Sequence, residues 1–301
     1  MVARSEEKRV VFDFEVDFSN GGGIQGQGFR LDIDGDDILD KALADYIVED
    51  MRLLMVGEVR ILNKKVITEK HKRAEQGDAL SQGTTLINLS HTIEDGLITY
   101  KGLPAPIICD YLSREESRAH YSEGTEFHIG KIEMVANTGT YIDSPFHRFA
   151  EGMDIADLPL SSVADLEGVV VWADPDARAV TKAAFEDIDI WGKAVLVHTG
   201  WDRHWKTDQY FEGHPFLTED AAEFLKKAGA KLVGIDSLNI DDTEDGRRPV
   251  HTTLLGADIP VVEHMCGLEH LPDAGFRFFA VPAKVQGMGT FPIQAFAIVN
   301  S

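Results

Sequence analysis

Two short segments of this 301-residue chain carry residue types at spacings that could do chemistry. The first is Asn137-Thr-Gly-Thr-Tyr-Ile-Asp-Ser-Pro-Phe-His147. Gly139 permits close backbone approach, and Pro145 stops any helix and fixes the chain between Asp143 and His147. A carboxylate and an imidazole four residues apart around a rigid turn can converge on one point, which suits a metal ligand beside a general base. The same pattern also fits Asp143 as a turn cap with His147 on the surface. The second segment is His251-Thr-Thr-Leu-Leu-Gly-Ala-Asp-Ile-Pro-Val-Val-Glu263, a short helix, a Gly/Pro break and an apolar strand ending in an acid. A carboxylate terminating that strand is costly to bury unpaired, so Glu263 either faces solvent or binds a cation.

Other motifs are weaker. The glycine-rich run at 19–28, SNGGGIQGQG, sits between two strand patterns with no helix start after it, and so reads as a hairpin loop rather than a phosphate cradle. The chain has no G-x-x-x-x-G-K-[ST], no G-x-S-x-G and no H-E-x-x-H. His91, His120, His128, His198, His204, His214, His264 and His270 have no spacing that names a role, and surface or structural positions are expected for them; an entrance lid is the lesser reading of the polar loop in which His204 and His214 flank Trp205 and Tyr210.

The elements that must position these residues follow from periodicity. Phe12, Phe14, Val16 and Phe18 alternate with Asp13, Glu15 and Asp17; Phe29, Leu31 and Ile33 alternate with Arg30, Asp32 and Asp34. Ser19 to Gly23 supplies the turn, so residues 10–35 form a β-hairpin. Ile38 to Leu54 carries apolar residues at helical spacing, a short strand follows at Val59 to Leu62, and His71–Thr84 is a polar linker. From Leu86 onward a larger α/β or α+β domain begins, with strands at Ile87–Leu89, Gly168–Trp172, Ala194–His198, Leu232–Ile235 and Phe276–Val281. Its clearest helix is Glu219–Ala228, with Thr218 as N-cap and Gly229 just past its end.

Composition narrows the function. With 44% hydrophobic and 27% charged residues the chain is an ordinary globular protein. No window approaches the roughly 18 apolar residues of a spanning helix, and no secretory signal is visible at the start, so a cytoplasmic location is expected. Cys109 and Cys266 form neither a disulfide framework nor a cysteine zinc site. Lysine and arginine number 29 against 51 acids, a net charge of −22 that repels nucleic acid and anionic membrane. The expected partner is a small-molecule substrate.

From about residue 86 to the end the sequence resembles the cyclase superfamily, which includes bacterial kynurenine formamidase and isatin hydrolase. That family's signature is His-x-Gly-Thr-His-x-Asp-x-Pro-x-His; Gly139, Thr140, Asp143, Pro145 and His147 keep it in register. The family's downstream His and Glu, twelve residues apart, match His251 and Glu263. NLSHTIEDGLITYKG (88–102), HTGWDRHW (198–205), KLVGIDSLNID (231–241) and VVEHMCGLEHLP (261–272) are similar as well. The resemblance implies an α/β, swivelling β/β/α-like domain over 80–301, with an N-terminal ββα extension and linker over 1–79. It implies a homodimer or homotetramer whose neighbours help close the active site, and the extension is expected to pack on a neighbouring subunit.

Carried over residue by residue, the resemblance makes Asp143, His251 and Glu263 ligands of one divalent metal ion and His147 the general acid/base. Two carboxylates and one imidazole suit Mn²⁺ as well as Zn²⁺. Tyr100 stands where relatives carry an aromatic that packs on the substrate. Asn137 and Tyr141 replace two signature histidines that hold another metal in the relatives, so a second metal site is expected to be weak or absent, with Asn137 touching substrate. Tyr141 is open to three roles: phenolate ligand, proton donor, or stabiliser of an oxyanion. The implied activity is metal-dependent hydrolysis of a small amide, whether a cyclic amide, a lactam or an N-acyl or N-formyl amine. The alternatives are a metal-independent lyase or dehydratase using Tyr141 and His147, and a ligand-binding protein on a degenerate enzyme fold.

Overall fold

The computed structural model describes residues 8–33, 35, 37–51, 53, 55–68 and 83–300. By its contacts the chain divides into two compact units, Met1–Ala79 and Leu80–Ser301. In the first, β1 (Lys8–Phe18) lies between β2 (Gly23–Ile33) and β3 (Val56–Thr68) in an antiparallel sheet, with helix α1 (Asp40–Asp50) between β2 and β3 in sequence. Alternation sends Val10, Phe12, Phe14 and Val16 to one face, where they pack on Leu43 and Ile47 of α1.

The unit therefore has one element more than a hairpin and a helix. The strand expected at Val59 to Leu62 runs from Val56 to Thr68 and pairs along β1 from end to end. Asn63-Lys64-Lys65 hid its second half in the sequence. Lys64 is drawn off the strand by ion pairs of 3.3 Å to Asp37 and 2.8 Å to Asp40. Helix α1 stops at Asp50; Leu54 and residues 71–82 of the expected linker lie outside the described residues.

The second unit opens with β4 (Thr84–Asn88) and a separate hairpin of β5 (Ile107–Leu112) and β6 (Ile129–Glu133), joined through the short helix α2 (Arg114–Ser117). Then follow β7 (Tyr141–Asp143), β8 (Leu166–Trp172), β9 (Ala179–Val180), β10 (Ala194–His198), β11 (Phe216–Leu217), α3 (Glu219–Ala228), β12 (Leu232–Ile235), α4 (Pro249–Leu255), β13 (Val261–Glu263), β14 (Ala274–Phe279), β15 (Thr290–Pro292) and β16 (Phe296–Asn300). Nine strands form one mixed sheet in the order β15-β7-β13-β12-β10-β8-β14-β16-β4. The central β8, β10, β12 and β13 are parallel, as buried Val- and Leu-rich runs favour, and antiparallel strands flank them.

Side chains alternate across this sheet into two cores. Val169, Val195, Val197, Val233 and Val261 pack on one face beneath Leu225 of α3 and Val250 and Leu254 of α4. Val170, Leu196, Leu232 and Val262 pack on the other with Phe276 and Phe278. Gly229 ends α3 in the left-handed conformation. Thr218 occupies the N-cap position without a side-chain capping bond; its hydroxyl lies within hydrogen-bond distance of the Val180 carbonyl and of Asp220. Among the described residues no helix is long and apolar enough to cross a membrane.

Candidate active site

Strand β7 places Tyr141 and Asp143 on one face and sends Ile142 into the opposite core. Its two neighbours supply the partners. Glu263 on β13 lies opposite Tyr141, and Thr290 on β15 lies opposite Asp143. Cross-strand neighbours on one face sit about 5 Å apart at Cβ, so register alone brings four polar side chains together. The Tyr141 hydroxyl donates to Glu263 Oε2 at 2.5 Å. Glu263 also accepts from the Ile240 amide at 2.6 Å and from Asn239 Nδ2 at 3.3 Å. Thr290 donates its hydroxyl proton to Asp143 Oδ1.

Helix α4 brings His251 over this row. Its Nδ1–H donates to Asp241 Oδ2 at 2.7 Å, and Asp241 is itself fixed by the amides of Val250 and His251 at 2.8 and 3.0 Å. That bond leaves Nε2 as the outward nitrogen. Nε2 lies 3.5 Å from Asp143 Oδ2 and 3.4 Å from Glu263 Oε1. All three side chains are almost wholly buried. Asp143 Oδ2 has no hydrogen-bond partner among the described residues, which is costly for a buried carboxylate oxygen.

A lone pair aimed at two carboxylates requires a cation between them, either a proton or a metal ion. Without metal the proton wins. Burial opposes a charged imidazole, but Glu263, Asp143 and Asp241 outweigh it and lift His251 to about 10. Burial pushes Glu263 up to about 7 against the pull of His251. Burial also works to raise Asp143, yet His147, His251 and Thr290 together hold it below the usual carboxylate range. The orphaned Oδ2 and the facing Nε2 are placed to share a divalent ion. Among the described residues the group whose ligand atoms all lie within 4.8 Å of one another is Asp143, His147 and His251; Glu263, expected as the third ligand, is outside that group, with Oε1 3.4 Å from His251 Nε2.

Competition between proton and metal has a measurable sign. An ion ligated by His251 would displace its proton below about pH 10, and near pH 7 that of Glu263 as well, so apparent affinity should rise with pH by at least about tenfold per unit. A chelator-competition titration with zinc at pH 7, 8 and 9 checks this, and a flat profile contradicts it. In the metal-free protein the raised His251 contributes stability that is full below about pH 6.5 and is lost as pH rises through about 10.

His147 sits in the single turn Pro145–His147, beyond β7, with its side chain 37% exposed to the cleft. Gly289 packs directly beneath that turn. A Cβ at position 289 would lie 2.5 Å from His147 Cα, so glycine is required for the close approach. Thr290 Oγ1 lies 2.8 Å from His147 Nδ1. Having given its only proton to Asp143, that hydroxyl accepts from Nδ1–H. The relay fixes the tautomer and leaves Nε2 of His147 as the basic nitrogen.

Tyr100, Asn137, Tyr141, His147, Arg148 and Arg248 are among the residues lining a cleft of about 300 Å³ that contains the site. Of the site residues expected from the sequence, Tyr100, Asn137, Tyr141, His147, His251 and Glu263 line this cleft, and Asp143 lies buried beside it, 3.5 Å from His251. Tyr141 is 1% exposed and remains a neutral phenol, because burial and then Glu263 and Asp143 push its pKa well above the usual value. Without a metal ion two adjacent carboxylates oppose a phenolate, so the ligand role for Tyr141 requires a bound cation to offset them. Asp241, Thr290, Asn239, Arg148 and Arg248 were not singled out. Their contribution depends on cross-strand register and turn geometry, and no local pattern marks it.

The stretch around Trp205 is not a lid. Trp205 stacks on His91 at 3.9 Å, and Tyr210 and His214 are each 1% exposed. Their aromatic area is worth more inside than over a cleft. His91 and His264 are likewise drawn inward, and burial lowers them to about 4 and about 3, so both are neutral.

Residues 87–242, just over half of the chain, match the Cyclase family model, described as Putative cyclase. Kynurenine formamidase of Bacillus anthracis is 26% identical over 211 residues, 69% of this chain and 95% of that protein. The Geobacillus thermodenitrificans enzyme of the same name is 28% identical over 181 residues, 60% of this chain and 84% of its own. Among solved structures, an isatin hydrolase bound to the product analogue thioisatinate superposes with a TM-score of 0.61 at 20% identity, over 73% of this chain and 94% of that one. A potential metal-dependent hydrolase with cyclase activity gives 0.60 at 24%, over 72% and 99%. These structural likenesses establish the shared fold.

Proposed function

Because this chain belongs to the Cyclase family, we propose that it is a metal-dependent hydrolase of a small amide, a cyclic amide, a lactam or an N-acyl or N-formyl amine. The observation that carries the reading is the unpartnered Asp143 Oδ2 facing His251 Nε2 at the floor of a cleft whose wall bears His147. Relatives named kynurenine formamidase and isatin hydrolase support the amide class.

In this reading Asp143, His251 and Glu263 hold one divalent ion, Mn²⁺ or Zn²⁺. When bound, the ion supplies Lewis acidity and acidifies water. The remaining work falls to side chains. His147 accepts a proton at Nε2 from the attacking water and returns it to the leaving nitrogen. Through both transfers Nδ1 stays bonded to Thr290, and the positive charge that develops on the ring is offset by Asp143, 3.7 Å away. Tyr141, kept neutral, turns its hydroxyl from Glu263 to the developing oxyanion. Tyr100 and Asn137 bind the substrate. Asn137 and Tyr141 leave no strong second metal site, because an amide oxygen and a protonated phenol are poor ligands.

The test is elemental analysis of the purified protein joined to a pH-stat assay on a panel of N-formyl amines and cyclic amides. The expected result is close to one divalent ion per chain, hydrolysis lost on chelation and recovered with Mn²⁺ or Zn²⁺. Undiminished turnover by metal-free protein would transfer the site to the lyase or dehydratase reading. Binding of every panel member without turnover would assign it to a ligand-binding protein.

A further inference from the structure

We propose that Arg248 and Arg148 form an anion subsite which selects amide substrates bearing a carboxylate; this extends the hydrolase reading above and rests on it for the word substrate. The chain carries 51 acids against 29 basic residues, and four of the six other arginines in the second unit are paired with acids, Arg114 and Arg203 being the exceptions. Arg118 pairs with Glu126 at 2.7 Å, Arg178 with Asp242 at 3.6 Å, Arg247 with Asp245 at 2.8 Å, and Arg277 with Asp165. Arg148 and Arg248 both line the cleft, and neither has an ion pair within 4.0 Å among the described residues.

The backbone turns Arg248 inward. Its φ of 50° and ψ of 59° are left-handed, an uncommon state for a residue with a Cβ. Consecutive side chains part there. Arg247 points outward, 73% exposed, to Asp245 and Glu219. Arg248 is half-buried, donates from Nη1 to the Asp242 carbonyl at 3.0 Å, and lies against the Tyr100 hydroxyl. Those contacts use part of a five-donor fork and leave the rest for a ligand. Backbone strain of this kind clusters where a ligand is gripped.

Arg148 is braced from the other side. Its Nε donates to Thr252 Oγ1 at 3.1 Å, and its guanidinium lies over the Phe149 ring, 5.3 Å from the centroid. Thr252 follows His251 and Arg248 precedes it by three residues, so both cations are anchored to the turn of chain that carries His251. A planar carboxylate matches a guanidinium in two parallel hydrogen bonds. The two guanidinium groups stand on the cleft wall beside His147, so a substrate carboxylate held there leaves the amide end free to approach His147. A cleft of about 300 Å³ takes a small molecule and not a chain.

The test is calorimetric titration of the full-length protein, as purified, with N-formylphenylalanine and with N-formylphenethylamine, which lacks only the carboxylate. The acid should bind at least tenfold more tightly. In R248M that preference should fall to threefold or less, with metal content unchanged, and R148M should reduce it partway. Equal affinity of the two probes, no binding of either, or an undiminished preference in the R148M/R248M double variant would overturn the subsite. Equal competition by inorganic phosphate would make it a general anion site and overturn the carboxylate assignment. Hydrolysis is scored separately: tight, arginine-dependent binding of the acid without turnover of any amide removes the hydrolase reading and leaves the subsite standing.

Discussion

Replacing His251 by alanine is expected to strip the protein of its divalent ion and to lower amide hydrolysis by about 10⁴-fold. His251 Nε2 stands between Asp143 Oδ2 and Glu263 Oε1, at 3.5 and 3.4 Å. Without it two buried carboxylates face each other, and neither a proton on the ring nor an ion ligated by it can compensate. Glu263, already raised to about 7 with His251 helping to lower it, should rise further. A carboxyl group whose folded pKa exceeds its unfolded value makes stability fall as pH rises between the two values. His251→Ala should therefore melt at a higher temperature near pH 5 than near pH 8. Elemental analysis and thermal melts by circular dichroism read both effects. His251→Asn serves as a control that keeps a polar group in place. A His251→Ala protein that retains one ion per chain would remove His251 from the ligand set.

His147→Ala is expected to lower kcat by about 10²–10⁴-fold, the usual contribution of a positioned general acid/base, while metal content stays unchanged. Elemental analysis matters here because His147 stands within ligand distance of Asp143 and His251. Loss of the ion together with activity would make His147 a ligand rather than the proton carrier. Thr290 gives a second measure of the same relay. Thr290→Val removes the acceptor for Nδ1–H and the donor to Asp143 Oδ1. It should lower kcat by roughly 10–100-fold, the scale of a lost supporting hydrogen bond, and Thr290→Ser should restore it. Equal loss in the valine and serine variants would show that packing, not the hydroxyl, is what position 290 supplies.

Strand periodicity was legible at the N-terminal hairpin and in the central apolar runs: Ala194–His198 and Leu232–Ile235 read as strands, and the structure pairs them in parallel, whereas β5, β6 and β16 were not picked out. It failed at β3, where Lys64 and Lys65 interrupt the pattern and Lys64 is satisfied by Asp37 and Asp40 from outside the strand. The polar loop around Trp205 and Tyr210 offered a lid as its lesser reading because polar neighbours made the rings look external, although ring area drives them inside.

In the sequence the turn-forming Gly139 and Pro145 and an acid closing an apolar strand marked two segments and left Asp143, His147 and Glu263 open between structural and chemical roles; the resemblance to the cyclase superfamily is what joined them with His251 into one site. Only the folded chain decided which further groups stand around them. Asp241 orients His251 from ten residues away, and Thr290 reaches His147 across 143 residues of chain. Sheet register and a left-handed turn at Arg248 select those partners, and both depend on packing across the whole sheet. A linear pattern records which residues lie near one another along the chain, whereas hydrogen bonds and charges act through space.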